Sequence, residues 1–239
     1  MAKEQIVITF DKGDLSDAIA QVIGAMQRLK AMVPEVASDD IVVTAPKPPA
    51  SVVNARPPIA WGKKVSRTFI DRVWWISDEI TKKQGAFFDP NWLMACMAWE
   101  SGESFAPDKK NMAGSGATGL IQFMPTTAKE LGAYRKTSLS TAMLAQMSAE
   151  DQLTWVYWYF RMQIDRHGPI TNLEDCYMAI LWPGAVGSPV SAPLWSKGKM
   201  PTTYRQNAGL DSNKDGTITK QEAAGHVRQK LDKGIKLAA

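Results

Sequence analysis

The segment DPNWLMACMAWE, residues 89–100, restricts the fold more than any other stretch of the chain. Asp89 and Pro90 are a helix start: a carboxylate to cap the first free N–H groups, then a proline where no N–H is needed. The body that follows is nearly all apolar and offers no polar face. Such a helix cannot lie on a surface, so other elements must enclose it. The fold is therefore built around a central helix that ends in a single carboxylate, Glu100.

The surrounding sequence supplies the enclosing elements. VSRTFIDRVWWISDEITKKQG predicts a helix with Phe69, Val73, Ile76 and Ile80 on one face, closed by Gly85. Thr127 and Glu130 fit a capping box after MPTTAKELG. Ser148 and Asp151 start a helix through SAEDQLTWVYWYFRMQIDRHG, and NLEDCYMAILW is capped by Asn172 and stopped by Pro183. Strand signals are weak. The expectation is a mainly α domain of about five helices with one irregular glycine-rich excursion.

The N-terminal region differs in character. QIVITF at residues 5–10 reads as a short strand. Leu15, Ile19, Val22, Met26, Leu29 and Val33 then form a narrow helical seam, started by Asp14 or Ser16 and ended by Pro34. That seam suits either packing within its own domain or docking on a partner. Residues 45–60 hold five prolines among small residues and read as a linker. The resulting division is a docking segment (1–44), a linker (45–60), a helical domain (61–200) and a C-terminal extension (201–239).

That extension contains DSNKDGTITKQE, residues 211–222, which fits the EF-hand calcium-loop template at every fixed position. Asp211, Asn213 and Asp215 offer side-chain oxygens. Gly216 permits the sharp turn, Thr217 offers its carbonyl and Glu222 closes the loop. Ala223, Val227 and Leu231 share one face of the exit helix. A single loop has no second copy to pair with, which favours structural stapling by calcium over sensing.

Charge and composition remove other classes. The net charge is +4 and no Lys/Arg run is dense enough for a nucleic-acid groove. Cys96 and Cys176 sit in apolar contexts as buried free thiols. Pro183, Pro189 and Pro193 interrupt the longest uncharged stretch, so no membrane span is expected. MAKEQIVITF lacks the pattern of a signal peptide, and the expectation is synthesis as a soluble cytosolic protein.

Glu100 taken alone reads either as a solvated helix-ending glutamate or as a proton donor. Burial beside Trp99 and Met97, and the negative end of the helix dipole, would both raise its pKa. A carboxyl protonated near neutral pH is what protonation of a glycosidic oxygen requires.

Glu100-Ser101 followed by GATGLIQFMPTTA resembles the paired signature of the soluble lytic transglycosylases, with Gly119, Leu120, Gln122, Met124, Pro125, Thr127 and Ala128 in register. Roughly residues 65–190 share the resemblance. It implies a lysozyme-like fold and peptidoglycan glycan strands as substrate. Glu100 would be the sole acid and base, forming a 1,6-anhydro product without water. Ser101 would orient the catalytic region, Gln122 would hydrogen-bond substrate, and GSGATG, with Gly119, would let backbone approach the sugar. Met124 would also line the cleft.

The sequence departs from the family's A-Y-N-A-G element, reading AILWPGAVG instead. Trp182 takes the tyrosine position, and Tyr177 stands one turn away to supply a phenol. Trp182 and Trp195 are the candidate stacking residues of the cleft. Glu103 and Asp108 would be the second carboxylate of a hydrolase.

The core, the WPGAVG variant and the calcium loop are similar to phage-encoded transglycosylases. They imply a virion tail or baseplate component acting on the cell wall, with tail proteins as partners of the N-terminal segment. Alternatives are a hydrolytic endolysin released at lysis, or an inactive virion or wall-binding protein.

Overall fold

The computed structural model describes residues 56–111 and 114–239. The expected strand, seam helix and most of the proline-rich stretch lie outside the described residues.

Helix α1 spans Arg67–Gln84, capped by Ser66, whose hydroxyl accepts from the Phe69 N–H. Phe69, Val73, Ile76 and Ile80 are buried as their spacing requires, and Gly85 ends the helix at φ 69°. Helix α2, Pro90–Glu100, starts with the Asp89 carboxylate accepting from the Asn91 N–H. Leu93 to Ala98 are all without solvent exposure. Helices packed around α2 achieve this. They are α1, α6 (Leu173–Leu181) and α9 (Gly225–Ile235). Helix α5, Ala149–His167, is capped by Ser148 and lies against α1. Asn172 caps α6 as expected.

Between α2 and the next helix the chain is irregular, with bridges from Thr118 to Lys110 and to Phe123. Helix α3 then runs Pro125–Tyr134. Its N-cap is Met124, without a side-chain cap, so the expected capping box at Thr127 and Glu130 does not form. Pro125 at the first helical position starts the helix earlier and leaves Thr127 inside the first turn. The short helices α4 (Thr141–Ala145), α7 (Pro201–Gln206) and α8 (Lys220–Ala223) complete the α-helices among the described residues, beside three single 3-10 turns. Strand β1, Pro193–Ser196, pairs antiparallel with β2, Thr217–Thr219, with Trp195 opposite Ile218.

Contacts cross the positions at 60 and 200 where the sequence suggests boundaries. Ile59 and Ala60 are buried, and the Ile59 N–H donates to the Ala239 carbonyl at 3.0 Å. The Trp61 indole is also buried and donates to the Lys230 carbonyl at 2.9 Å. The described residues before Trp61 therefore join the packed body, Arg56 among them through its ion pair with Asp78. Residues 201–239 belong to the same body, because α9 lies along α2 and β2 pairs with β1. Apolar surface left bare on α2 by the other helices makes this docking favourable. Cys96 and Cys176 are buried free thiols as expected, 3.8 Å apart between α2 and α6, and burial pushes the Cys96 thiol well up. No helix among the described residues is long and apolar enough to cross a membrane.

Candidate active site

Glu100 is the last residue of α2 and is half-buried. Desolvation raises its carboxyl from the ordinary 4.5 to about 7. The group is thus poised to hold a proton near neutrality and to take one back.

The turn after Glu100 is held from inside. Ser101 is fully buried; its hydroxyl donates to the Met97 carbonyl at 2.7 Å and accepts from the Phe105 N–H at 3.0 Å. It braces the turn after Glu100 and does not line an open surface. Gly102 follows at φ 63°, and Glu103, also at positive φ, turns toward α9. Its carboxylate accepts from Lys230 at 2.5 Å and Lys233 at 2.6 Å, which holds its pKa below the usual range. Glu103 is committed to two ammonium groups. Asp108 is exposed.

Two tyrosines feel the charge of Glu100. Tyr177 of α6 is buried, and its hydroxyl accepts from the Trp99 indole at 3.0 Å. Trp99 in turn stacks on His226 of α9, with centroids 4.7 Å apart and planes within 4°. Tyr159 of α5 is buried and donates to the Ala179 carbonyl at 2.6 Å. Burial, and then the Glu100 carboxylate, push both phenols well up. The pattern had suggested Tyr177 as a phenol source. Tyr159 was not legible, since WVYWYF offers several aromatics and only packing distinguishes them.

The GLIQ segment forms a wall of a small pocket lined by Ile121, Gln122, Phe123, Met124, Thr127, Tyr159 and Ile180. Met124 is 41% exposed there. Gln122 sits at φ 52°, and its amide nitrogen donates to the Lys109 carbonyl at 2.9 Å and the Gly119 carbonyl at 3.1 Å. That amide nitrogen braces its own loop. The surroundings of Gly119 themselves demand glycine. Gly119 lies at φ 87°, and a Cβ there would meet the Gln152 amide at 2.3 Å. Gln152 is a buried clamp that sequence reasoning missed. It accepts from the Leu120 N–H at 2.7 Å and donates to the carbonyls of Pro107 and Leu144.

Trp182 follows α6 and is 41% exposed, its ring edge-on to Trp195 at 5.5 Å. Trp195 is 2% exposed, so it supports Trp182 from behind and is not itself a stacking surface.

The loop 211–222 includes β2, which pairs with β1 and sets Ile218 opposite Trp195. Asp211 Oδ2 accepts from the Tyr204 hydroxyl at 2.5 Å and the Gly216 N–H at 3.0 Å, which holds the Asp211 pKa low. Asn213 accepts from the Asp215 N–H, and Asp215 from the Thr217 N–H. Glu222 accepts from Ser212 through one oxygen and from Thr219 through the other, completing a capping box on α8. Asp211 Oδ1 is buried and has no hydrogen-bond partner. Among the described residues, no three His, Cys, Asp or Glu side chains are already gathered as a metal cluster. The template relies in part on Asn213 and on the Thr217 carbonyl, outside those side-chain types.

The helices and the site lie within or beside a recognisable domain. Residues 79–161 match the family model of the transglycosylase SLT domain. This span contains Glu100, the GLIQ wall, Gln152 and Tyr159. No curated protein matches the chain. The matched segment holds the half-buried carboxyl, and the family it matches comprises lytic transglycosylases that act on peptidoglycan.

Proposed function

We propose that the protein cleaves the β-1,4 bond between N-acetylmuramic acid and N-acetylglucosamine without water. The Glu100 carboxyl protonates the leaving glycosidic oxygen as the C1–O bond breaks. The muramic C6 hydroxyl then bonds to C1, and its proton returns to the Glu100 carboxylate, giving a 1,6-anhydro product. The observation that carries this reading is the single half-buried carboxyl with its pKa near 7. Glu103, the nearest sequence candidate for a hydrolase's second carboxylate, is engaged by Lys230 and Lys233. In this reading Tyr177 and Tyr159 shape the field around the acid, while Met124 and Trp182 face substrate. Digestion of purified peptidoglycan tests it. Anhydromuramyl products by mass, absent with Glu100→Gln, are expected; products heavier by one water would establish a hydrolase.

The loop 211–222 suits calcium, because the unsatisfied buried Asp211 Oδ1 lacks a partner that a cation would supply. Asp211, Asn213, Asp215, the Thr217 carbonyl and Glu222 would hold the ion. Its contribution is structural, a charge that draws the loop's oxygens together.

The apolar seam pattern of residues 15–33 and the proline-rich stretch that follows in the sequence, together with the resemblance to phage transglycosylases, support a place in a virion tail or baseplate, opening the wall at infection. Detection of the chain in purified particles by mass spectrometry is the expected result; a chain found only free in lysate would favour an endolysin.

A further inference from the structure

Lys220 is a lysine with no solvent exposure. Its ammonium pairs with the Asp175 carboxylate and donates to the carbonyls of Ala185 at 3.0 Å and Ser188 at 2.9 Å. All three donors of the group are used. Asp175 Oδ1 also accepts from the Gly187 N–H at 2.8 Å, and Asp175 Oδ2 from the Asn172 amide at 2.9 Å. Backbone bonds extend the join: the Lys220 N–H donates to the Ala192 carbonyl and the Gln221 N–H to that of Val190.

Burying an ion pair is costly, and an apolar pair of similar volume often fills such a space with equal or better stability. What apolar side chains cannot supply is a set of directed bonds to one stretch of backbone. Here the bonds converge on residues 185–188, three to six residues beyond Trp182. The second support of Trp182 leads to the same place. Its ring rests on Trp195, Trp195 lies opposite Ile218, and Ile218 is two residues before Lys220.

We propose that Lys220 is a positioning residue for glycan binding: through Asp175 and the 185–188 carbonyls it holds the Trp182 indole in the orientation that stacks on an N-acetylated sugar. This rests on the reading of the cleft as a glycan site. Lys220 touches no substrate, and its effect passes through Trp182.

The test is a double-mutant cycle in the full chain carrying Glu100→Gln, with a soluble β-1,4-linked N-acetylglucosamine oligomer titrated by calorimetry. Trp182→Ala is expected to weaken binding roughly three- to tenfold, the size of a lost stacking contact. Lys220→Met is expected to weaken it similarly. The double variant should bind no more weakly than Trp182→Ala alone, because the second change then has nothing left to misplace. Lys220→Met combined with Asp175→Leu guards against simple unfolding. It removes both charges together, should keep the melting temperature, and should still show the weaker binding.

Multiplying effects in the double variant would overturn the proposal, as would parent-like binding by the fully folded charge-free pair. Trp182→Ala binding as tightly as its parent would overturn the glycan reading of Trp182 along with it.

Discussion

Glu100 combines two demands that conflict at the level of one side chain. The proposed role asks it to be buried enough to hold a proton near pH 7, yet to reach substrate. Ending α2 with Glu100 meets both, since Leu93 to Ala98 are sealed while Glu100 itself is half-buried. The raised pKa has a stability consequence. In the folded state the carboxyl titrates at about 7, against the ordinary 4.5. Between those values the folded protein retains a proton that the unfolded chain has released, so this group's contribution is full below 4.5 and is lost as pH rises through 7. Glutamine carries no such linkage. Glu100→Gln should therefore melt increasingly above the parent from pH 4 to pH 8, with a ceiling of roughly 3 kcal/mol. Its turnover should fall by roughly 10²–10⁴-fold. Parent activity should decline above about pH 7 as the acid form is lost. Thermal melts across that pH range check the first part, and a melting difference that does not vary with pH would remove the raised pKa.

At the scale of elements, α1, α2, α5 and α6 were legible because their signals are local. Ser66, Asp89, Ser148 and Asn172 each cap a helix from within a few residues of it, and apolar spacing names the buried face. The misjudged start of α3 was also local, with Pro125 outweighing Thr127. The rest depends on contacts between distant residues. EDQLTW gives no sign that Gln152 is buried, and TKQEAAG none that Lys220 is, since a long polar side chain is normally solvated. The pairing of Trp195 with Ile218 likewise has no signature in segments as short as PLWS and TIT. Gln152 makes the glycine-rich excursion a fixed element and gives Gly119 its role. Gly119→Ala would place a Cβ 2.3 Å from the Gln152 amide, at a φ of 87°. A loss of about 3 kcal/mol is expected, from backbone strain and the displaced clamp. Gly114→Ala has the same sign of φ, 74°, but meets nothing within 4 Å, and should lose only about 1 kcal/mol. Urea unfolding of the two variants separates these causes; equal losses would mean that strain alone matters and that the Gln152 contact does not.

Across the described body, the loop 211–222 stands between the elements that hold α2 and those that hold residues 185–188. Beyond Glu222 the chain becomes α9, whose His226 stacks on Trp99 beside Glu100 and whose Lys230 and Lys233 hold Glu103. Before Glu222 it forms β2 and Lys220, which hold β1 and residues 185–188. A cation in that loop would bind the folded state and not the unfolded chain, so it should stabilise all of these contacts together. At a free concentration of a hundred times its dissociation constant, calcium would contribute about 2.7 kcal/mol. For a body of this size that corresponds to a rise in melting temperature of roughly 5–10 °C over the same protein in chelator. Asp211→Ala should abolish the rise, because the orphaned Oδ1 and the oxygen held by Tyr204 and Gly216 are removed together. Calorimetric melts should show one transition in both conditions, since α9 cannot leave α2 without exposing its core. Identical melting with calcium and with chelator would rule out the cation reading of the loop, while leaving the chemistry assigned to Glu100 untouched.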